Sequence, residues 1–483
     1  GQNVPLAINL GFLGTFGIIA GVSYFVLRQL AINRPLAAAG AILYAFLPYH
    51  LTRSTFHLPL SGYVAVPLVA LVLLWQLSDT PVFNRVTERG LVWSWRDRRG
   101  ISAVAILGLA AFTGIYYAVF AGLLFLGVAI VKHAAVRSEA HLRATITLVV
   151  ALGAFVAIAL LPTILYRAVE GPNPESVVRS YESVEAYALR PVDLVLPIWN
   201  HRISAFGNFA RTTSGHGNEP GQNLGLVGAF GLVVSLLAFV TAAVGRKRLK
   251  RNELLERLGL LNLMCIALGA IAGGGSLLAL LGLHQIRSWN RISVYIAFFS
   301  IAAAMLLVGR WTSTWATGAV LGLAAVVIVL GVADQTSPPN LETTNAYADT
   351  YHTDAQFFST VEASLEPGAS VYQLPFMPFP ESKMIVDMVD YDPVRGYLHT
   401  DTTRWSYGSM KGRGDSEWSQ HVANLATDDL IEAITSAGFG GLYIDRYGYT
   451  DRAASLEAEL EILLPGVVPI ESPNHRMVVY TID

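Results

Sequence analysis

The chain has 483 residues, of which 53% are apolar and only 14% are Asp, Glu, Lys or Arg, with a formal net charge of −2. A soluble globular chain carries about a quarter charged residues, so a single water-soluble domain is excluded. The near-zero net charge hides two unlike parts. Up to about Gly331, apolar runs alternate with short basic stretches, and from about Ala333 onward acidic residues dominate.

This pattern predicts a mainly α polytopic membrane protein with a C-terminal extracytoplasmic α/β domain. The division falls into a transmembrane domain, 1–333, and a soluble domain, 334–483. Cys265, the sole cysteine, sits in an apolar run, so the soluble domain holds together without an intrachain disulfide. Gly1-Gln2-Asn3 lacks a charged leader and reads like the end of a loop entering a helix.

A membrane helix needs about 20 apolar residues. Candidate spans in chain order are 5–28, 36–50, 59–77, 101–131, 144–166, 223–244, 259–283, 291–309 and 312–333. The run Ile101–Val131 is too long for one crossing. Its flanks are basic on both sides: Arg85, Arg89, Arg96, Arg98 and Arg99 before it, and Lys132, Arg137 and Arg143 after it. Basic loops stay cytoplasmic, so the run enters and leaves on one side, as two short helices broken near Gly114–Tyr117. The stretch with Arg246, Lys247, Arg248, Lys250 and Arg251 falls on the same side. This gives about ten crossings, with Tyr49–Pro59, the loop 167–222, His284–Arg291 and the C-terminal domain all outside. Parity then calls for an earlier crossing upstream of Gly1. Gly273-Gly274-Gly275 inside an apolar run reads as close helix packing or a local break.

The outer loop 167–222 is long for a connection without structure of its own, which points to function; the bland alternative is a passive lid. Among its carboxylates, Glu182, Glu185 and Asp193 are candidate catalytic groups. Two further outer segments pair cations with aromatics and hydroxyls: Pro48–Leu58, with His50, Arg53 and His57, and His284–Arg291. Arg287 and Arg291 are four apart and share one face if the helix extends through them. Two guanidinium groups there suit a phosphate clamp, and interfacial anchoring is the alternative. In the C-terminal domain, strand patterns occur at 370–374, 441–444 and 477–482, and helix patterns at 427–437 and 453–464. Its irregular stretch carries Trp405, Tyr407, Lys411 and Arg413, a mixture suited to binding sugars and their phosphates or to packing on the membrane domain.

Leu43-Tyr44-Ala45-Phe46-Leu47-Pro48-Tyr49-His50, the stretch His57–Tyr63 and Arg287-Ser288-Trp289-Asn290-Arg291 resemble the YfhO-like group of the GT-C superfamily of membrane glycosyltransferases. Trp405-Ser406-Tyr407-Gly408 is similar to the acceptor-binding Trp-Trp-Asp-Tyr-Gly motif of oligosaccharyltransferases but lacks its Asp. The resemblance implies an enzyme of the bacterial plasma membrane. It would pass a sugar from a polyprenyl-phosphate donor to a glycan, lipid or protein acceptor at the outer face. Arg287 and Arg291 would hold the donor phosphate. The main catalytic carboxylate of such enzymes lies in the first outer loop, which here falls upstream of Gly1. No metal, nucleotide or nucleic-acid signature is present; a divalent ion, Mg2+ or Mn2+, is the one cofactor left open. The rival readings are a lipid-linked sugar translocase, which would bury charge at mid-membrane depth, and an envelope-assembly scaffold.

Overall fold

The computed structural model describes residues 3–88, 90–214, 219–245 and 252–482. Arg89 and the basic run 246–251 lie outside the described residues. The chain is a helical membrane protein with a small sheet region. Among the described residues, six helices are long and apolar enough to cross a membrane: α1 (Val4–Gln29), α7 (Ile115–Val136), α8 (Glu139–Glu170), α11 (Gly225–Ala243), the stretch Trp289–Trp311 containing α14 (Ser293–Trp311), and α15 (Thr317–Gln335).

The other apolar runs are broken where local chemistry demands it. The expected span 36–50 is α2 (Arg34–Ala45) followed by a separate short helix, α3 (Pro48–Arg53). Pro48 lacks an amide hydrogen and can only start a helix, so it ends the first and begins the second. The expected span 59–77 is α4 (Leu58–Ser61) and α5 (Val66–Gln76). The long run divides at Gly114 into α6 (Arg98–Thr113) and α7. A side chain at Gly114 would press within 2.7 Å of the Tyr117 ring. The expected span 259–283 is likewise broken, into α12 (Glu253–Gly269) and α13 (Gly274–Leu280), at the glycine run. A hairpin, β1 (Asn84–Thr87) and β2 (Gly90–Trp93), precedes α6. In the outer loop, α9 (Tyr181–Ala186) and α10 (Ser204–Thr213) are short.

Two compact units result. One comprises Ile8–Tyr166 and Val178–Pro338; the other comprises Gly1–Ala7, Arg167–Val177 and Pro339–Asp483. The first eleven residues of the outer loop thus belong with the C-terminal unit, not with the helices.

In the helical unit α14 is the hub, packed by α2, α5, α11 and α12. Every residue from Ser293 to Met305 is buried. Bilayers supply no hydrophobic force between helices, so close backbone approach and polar glue hold them. Both are present. A Cβ on Gly231 would lie 1.8 Å from the Ser300 carbonyl, and one on Gly259 would lie 2.0 Å from that of Ser235. At this crossing the Asn262 amide donates to Ser235 Oγ (2.9 Å) and Ser300 Oγ (3.2 Å), tying α12 to α11 and α14.

The C-terminal unit starts with α16 (Leu341–Ser364) and contains β3 (Ser370–Leu374), α17 (Arg395–His399), β4 (Arg404–Trp405), α18 (Gly414–Val422), α19 (Thr427–Ser436), β5 (Phe439–Asp445), α20 (Ala454–Leu463), β6 (Ile470–Glu471) and β7 (Met477–Thr481). The sheet order is β4-β3-β5-β7-β6, parallel across β3's two partners and antiparallel beyond β5. Alternate side chains enter two cores. Tyr372, Leu442, Ile444 and Val478 face one side, and Val371, Tyr443 and Val479 join Phe357 and Phe358 of α16 on the other.

Candidate active site

The arginine that shares its charge with Arg291 is Arg53, and the group that joins them is Glu219. Helix α3 is a single short turn fixed by Pro48, and it carries Arg53 at its last position. Arg291 lies in a 3-10 turn, Trp289–Ile292, that leads into α14. Glu219 arrives on the loop before α11. That loop is pressed onto α3 at Gly221, where φ is +99° and a Cβ would sit 2.2 Å from Thr52 Oγ1, so only glycine fits. Arg291 Nη2 donates to Glu219 Oε1 at 2.6 Å and its Nε to Oε2 at 3.3 Å, while Arg53 Nη2 donates to Oε2 at 3.1 Å. All three side chains are about nine-tenths buried. Tyr49 stacks under the Arg53 guanidinium and Tyr116 under that of Arg291. One carboxylate between two cations leaves the cluster with a formal charge of +1.

The helix does not extend through Arg287. Residues 286–288 are irregular, and Arg287 instead stacks on Tyr187 at 4.4 Å. The expected Arg287–Arg291 face is therefore replaced by an Arg53–Arg291 pair, built from two distant segments.

A cavity of about 510 Å³ adjoins this cluster, with Glu219, Asp193, Trp199, Asn200 and Asn223 in its wall. Asp193 is buried and its carboxylate accepts from Ser214 Oγ at 3.0 Å. Burial pushes its carboxyl up, against the pull of the Ser214 hydrogen bond and the Arg190 charge. Burial acts on Glu219 in the same sense, but hydrogen bonds from Arg291 and the charges of Arg53 and Arg291 outweigh it and hold Glu219 below the usual carboxylate range. Two carboxylates in one cavity wall are thus pushed in opposite directions, a pattern that separates a proton acceptor from a fixed charge. His57 is half-buried; burial and then the Arg53 and Arg291 charges lower its imidazole, so it is neutral at pH 7. The segment leading into α14 also holds Ser288 Oγ, Trp289 Nε1, Asn290 Oδ1 and Ser293 Oγ, buried with no hydrogen-bond partner among the described residues, as is Arg53 Nε. Buried polar atoms are nearly always paired, so such a concentration marks a place built for polar contacts.

A carboxylate held below its unfolded value stabilises the fold fully above that value, about 4.3, and the contribution is lost as pH falls through the lower folded value. The thermal midpoint should therefore drop on acidification below about pH 4.3, with a shallower drop for Glu219→Gln. Equal slopes in the two proteins would remove the cluster as an acid-sensitive element.

The remaining candidates are placed elsewhere. His50 is fully buried, with Nδ1 at 2.8 Å from the Ala45 carbonyl, Nε2 at 2.8 Å from Thr15 Oγ1, and its ring stacked on Phe16; both ring nitrogens are engaged in the core. Glu182 is exposed in the first turn of α9. Glu185 accepts from the Ala272 amide and from Tyr181, pinning the turn between α12 and α13. Trp405 packs against Phe358 and Tyr443 and donates to Thr400, a core role. Tyr407 packs on Phe379, and its amide donates to Gln373. Lys411 Nζ donates to the Glu381 carbonyl. Arg413 donates to the carbonyls of Glu170 and Gly171 at the end of α8, so within the C-terminal unit it fixes the segment 167–177. Gly412 lies against Asn173, which donates to the Lys411 carbonyl. Among the described residues no group of three or more His, Cys, Asp or Glu could hold a metal ion.

Glu219 was not among the sequence candidates. No spacing marks it; only its meeting with two buried arginines does.

A family model described as "Domain of unknown function (DUF6311)" matches residues 8–335. A protein of Bacillus subtilis (strain 168) described as "Putative hydrolase YtaP" is 38% identical over 65 residues. That stretch is 13% of this chain, and the chain spans only 22% of that relative.

Proposed function

The chain belongs to the DUF6311 family, and we propose that it is a GT-C-type integral membrane glycosyltransferase taking its sugar from a polyprenyl-phosphate donor at the outer face. The observation that carries this reading is the buried Arg53–Glu219–Arg291 cluster beside a cavity that also presents Asp193. Arginine forks fit phosphate oxygens as they fit a carboxylate. The donor phosphate takes the place of the Glu219 carboxylate between Arg53 and Arg291. The acceptor hydroxyl gives its proton to Asp193, with neutral His57 the second choice, and its oxygen bonds to the anomeric carbon. The bond from that carbon to the phosphate oxygen breaks, and the electron pair leaves with polyprenyl phosphate, whose charge the two guanidinium groups stabilise. The topology proposed with it has about ten crossings and places the Tyr49–Pro59 segment, loop 167–222, His284–Arg291 and the C-terminal unit outside the plasma membrane.

A coupled translocase is less well supported. Where α11 and α12 pack on the hub helix, the buried Asn262–Ser235–Ser300 set is neutral, whereas ion coupling needs buried charge.

The test supplies full-length protein in lipid discs with radiolabelled polyprenyl-phosphate sugars and a mixture of glycan acceptors. Labelled product and free polyprenyl phosphate are expected, falling by about a hundredfold or more in Asp193→Asn. Release of free sugar with water as the acceptor would make the protein a hydrolase, and no breakdown of any donor would sink the enzymatic reading.

A further inference from the structure

A second cavity, of about 630 Å³, lies at the opposite end of the helical unit from the Arg53–Glu219–Arg291 cluster. The chain fixes this placement. The cluster follows the C-terminus of α2 and precedes the N-terminus of α14, whereas this cavity is lined by Asn33 before α2 and by Arg310 at the end of α14. Nineteen residues of α14 separate the two ends by about 28 Å.

The cavity combines an apolar wall, with Leu254, Leu306 and Val320, and a polar mouth. Three helices begin at it: α2 after Asn33, α12 after Asn252 and α15 at Thr317. The N-caps of α12 and α15 make no side-chain capping bond. Their first amide groups and the positive ends of three helix dipoles therefore face the same region. Two further features stand apart from the helix ends. The Asn252 amide nitrogen is buried without a hydrogen-bond partner among the described residues. Arg310, solvent-exposed at the end of α14, is among the lining residues and is in no ion pair among the described residues. Trp315, half exposed in the same wall, is the residue type that sits at headgroup depth. A free-standing cation, an unpaired amide donor and converging helix N-termini select an anion, and the apolar wall selects one that carries acyl chains.

We infer that this cavity binds the phosphate of an anionic phospholipid, at the membrane face opposite the candidate active site. The inference does not depend on the glycosyltransferase reading, since neither residues nor chemistry are shared.

The test uses the full chain in discs of phosphatidylcholine doped with phosphatidylglycerol, with retained lipid counted by native mass spectrometry. Phosphatidylglycerol should be retained preferentially. Arg310→Gln should weaken that preference about fivefold, as expected for one arginine at an anionic surface, and Asn252→Leu should weaken it without any change of charge. Arg137→Gln, an exposed interfacial arginine outside the cavity, should leave it intact. An equal loss in Arg137→Gln, or no loss in either cavity variant, would overturn the site. Inorganic phosphate that displaced the lipid completely and raised the thermal midpoint alone would overturn the lipid assignment in favour of a soluble anion. Should Arg310→Gln fail to fold, Asn252→Leu decides by itself.

Discussion

Glu219→Leu destabilises the helical unit by about 3–5 kcal/mol, although it replaces a charged side chain by an apolar one of similar size. The reason is what it leaves behind. Arg53 and Arg291 are almost inaccessible to water, and without the carboxylate they form an uncompensated pair of like charges; removing one partner of a buried ion pair costs about that much. Arg291→Met acts in the same direction for the complementary reason, leaving Glu219 with Arg53 alone. The combined variant Arg53→Met, Glu219→Leu, Arg291→Met should recover most of the loss, because apolar replacement of a whole buried ionic set is often neutral. Unfolding of the purified protein in detergent, followed by intrinsic fluorescence, provides the comparison. Simple additivity of the single losses in the triple variant would mean that the cluster is not one coupled unit.

The helical class, the break at Gly114 and the α/β character of the C-terminal unit were legible in the sequence because each rests on local patterning: apolar runs, a glycine between basic flanks, period-two strands such as Ser370–Leu374. The helix α16 was not legible. Its sequence, LETTNAYADTYHTDAQFFSTVEAS, has no continuous apolar stripe, since only its C-terminal half meets the sheet, through Phe357, Phe358 and Val361. The site was half legible. Arg53, Arg291 and His57 stood out as polar residues near helix ends and Asp193 as a carboxylate of the long outer loop; the structure gathers the first three around Glu219 and sets Asp193 with Glu219 in one cavity wall. The pairing itself was not readable, because Arg53 and Glu219 are 166 residues apart and meet only through tertiary packing. Arg287 and Arg291, by contrast, looked paired because spacing of four implies a shared face only on a helix, and residues 286–288 are not helical. Trp405, Lys411 and Arg413 drew notice for chemistry that the fold spends on its own core and on backbone carbonyls.

That reversal sets the second large effect. Binding of a short-chain polyprenyl phosphate, measured by calorimetry on the protein in discs, should weaken about a hundredfold in Arg291→Ala and in Arg53→Ala, equivalent to ~3 kcal/mol for a buried charge-assisted contact. Arg287→Ala should change it less than threefold, ~0.6 kcal/mol, because that guanidinium is engaged with Tyr187 and points to no shared partner. Arg291→Lys separates charge from geometry: it keeps the cation but loses the fork, so it should fall between wild type and Arg291→Ala. Glu219→Gln separates binding from stability. It preserves both arginines and removes the carboxylate that a phosphate must displace, so affinity should rise rather than fall. If Glu219→Gln bound more weakly and Arg287→Ala were the damaging change, the phosphate site would lie at Arg287 and the Arg53–Glu219–Arg291 cluster would be a structural clasp alone.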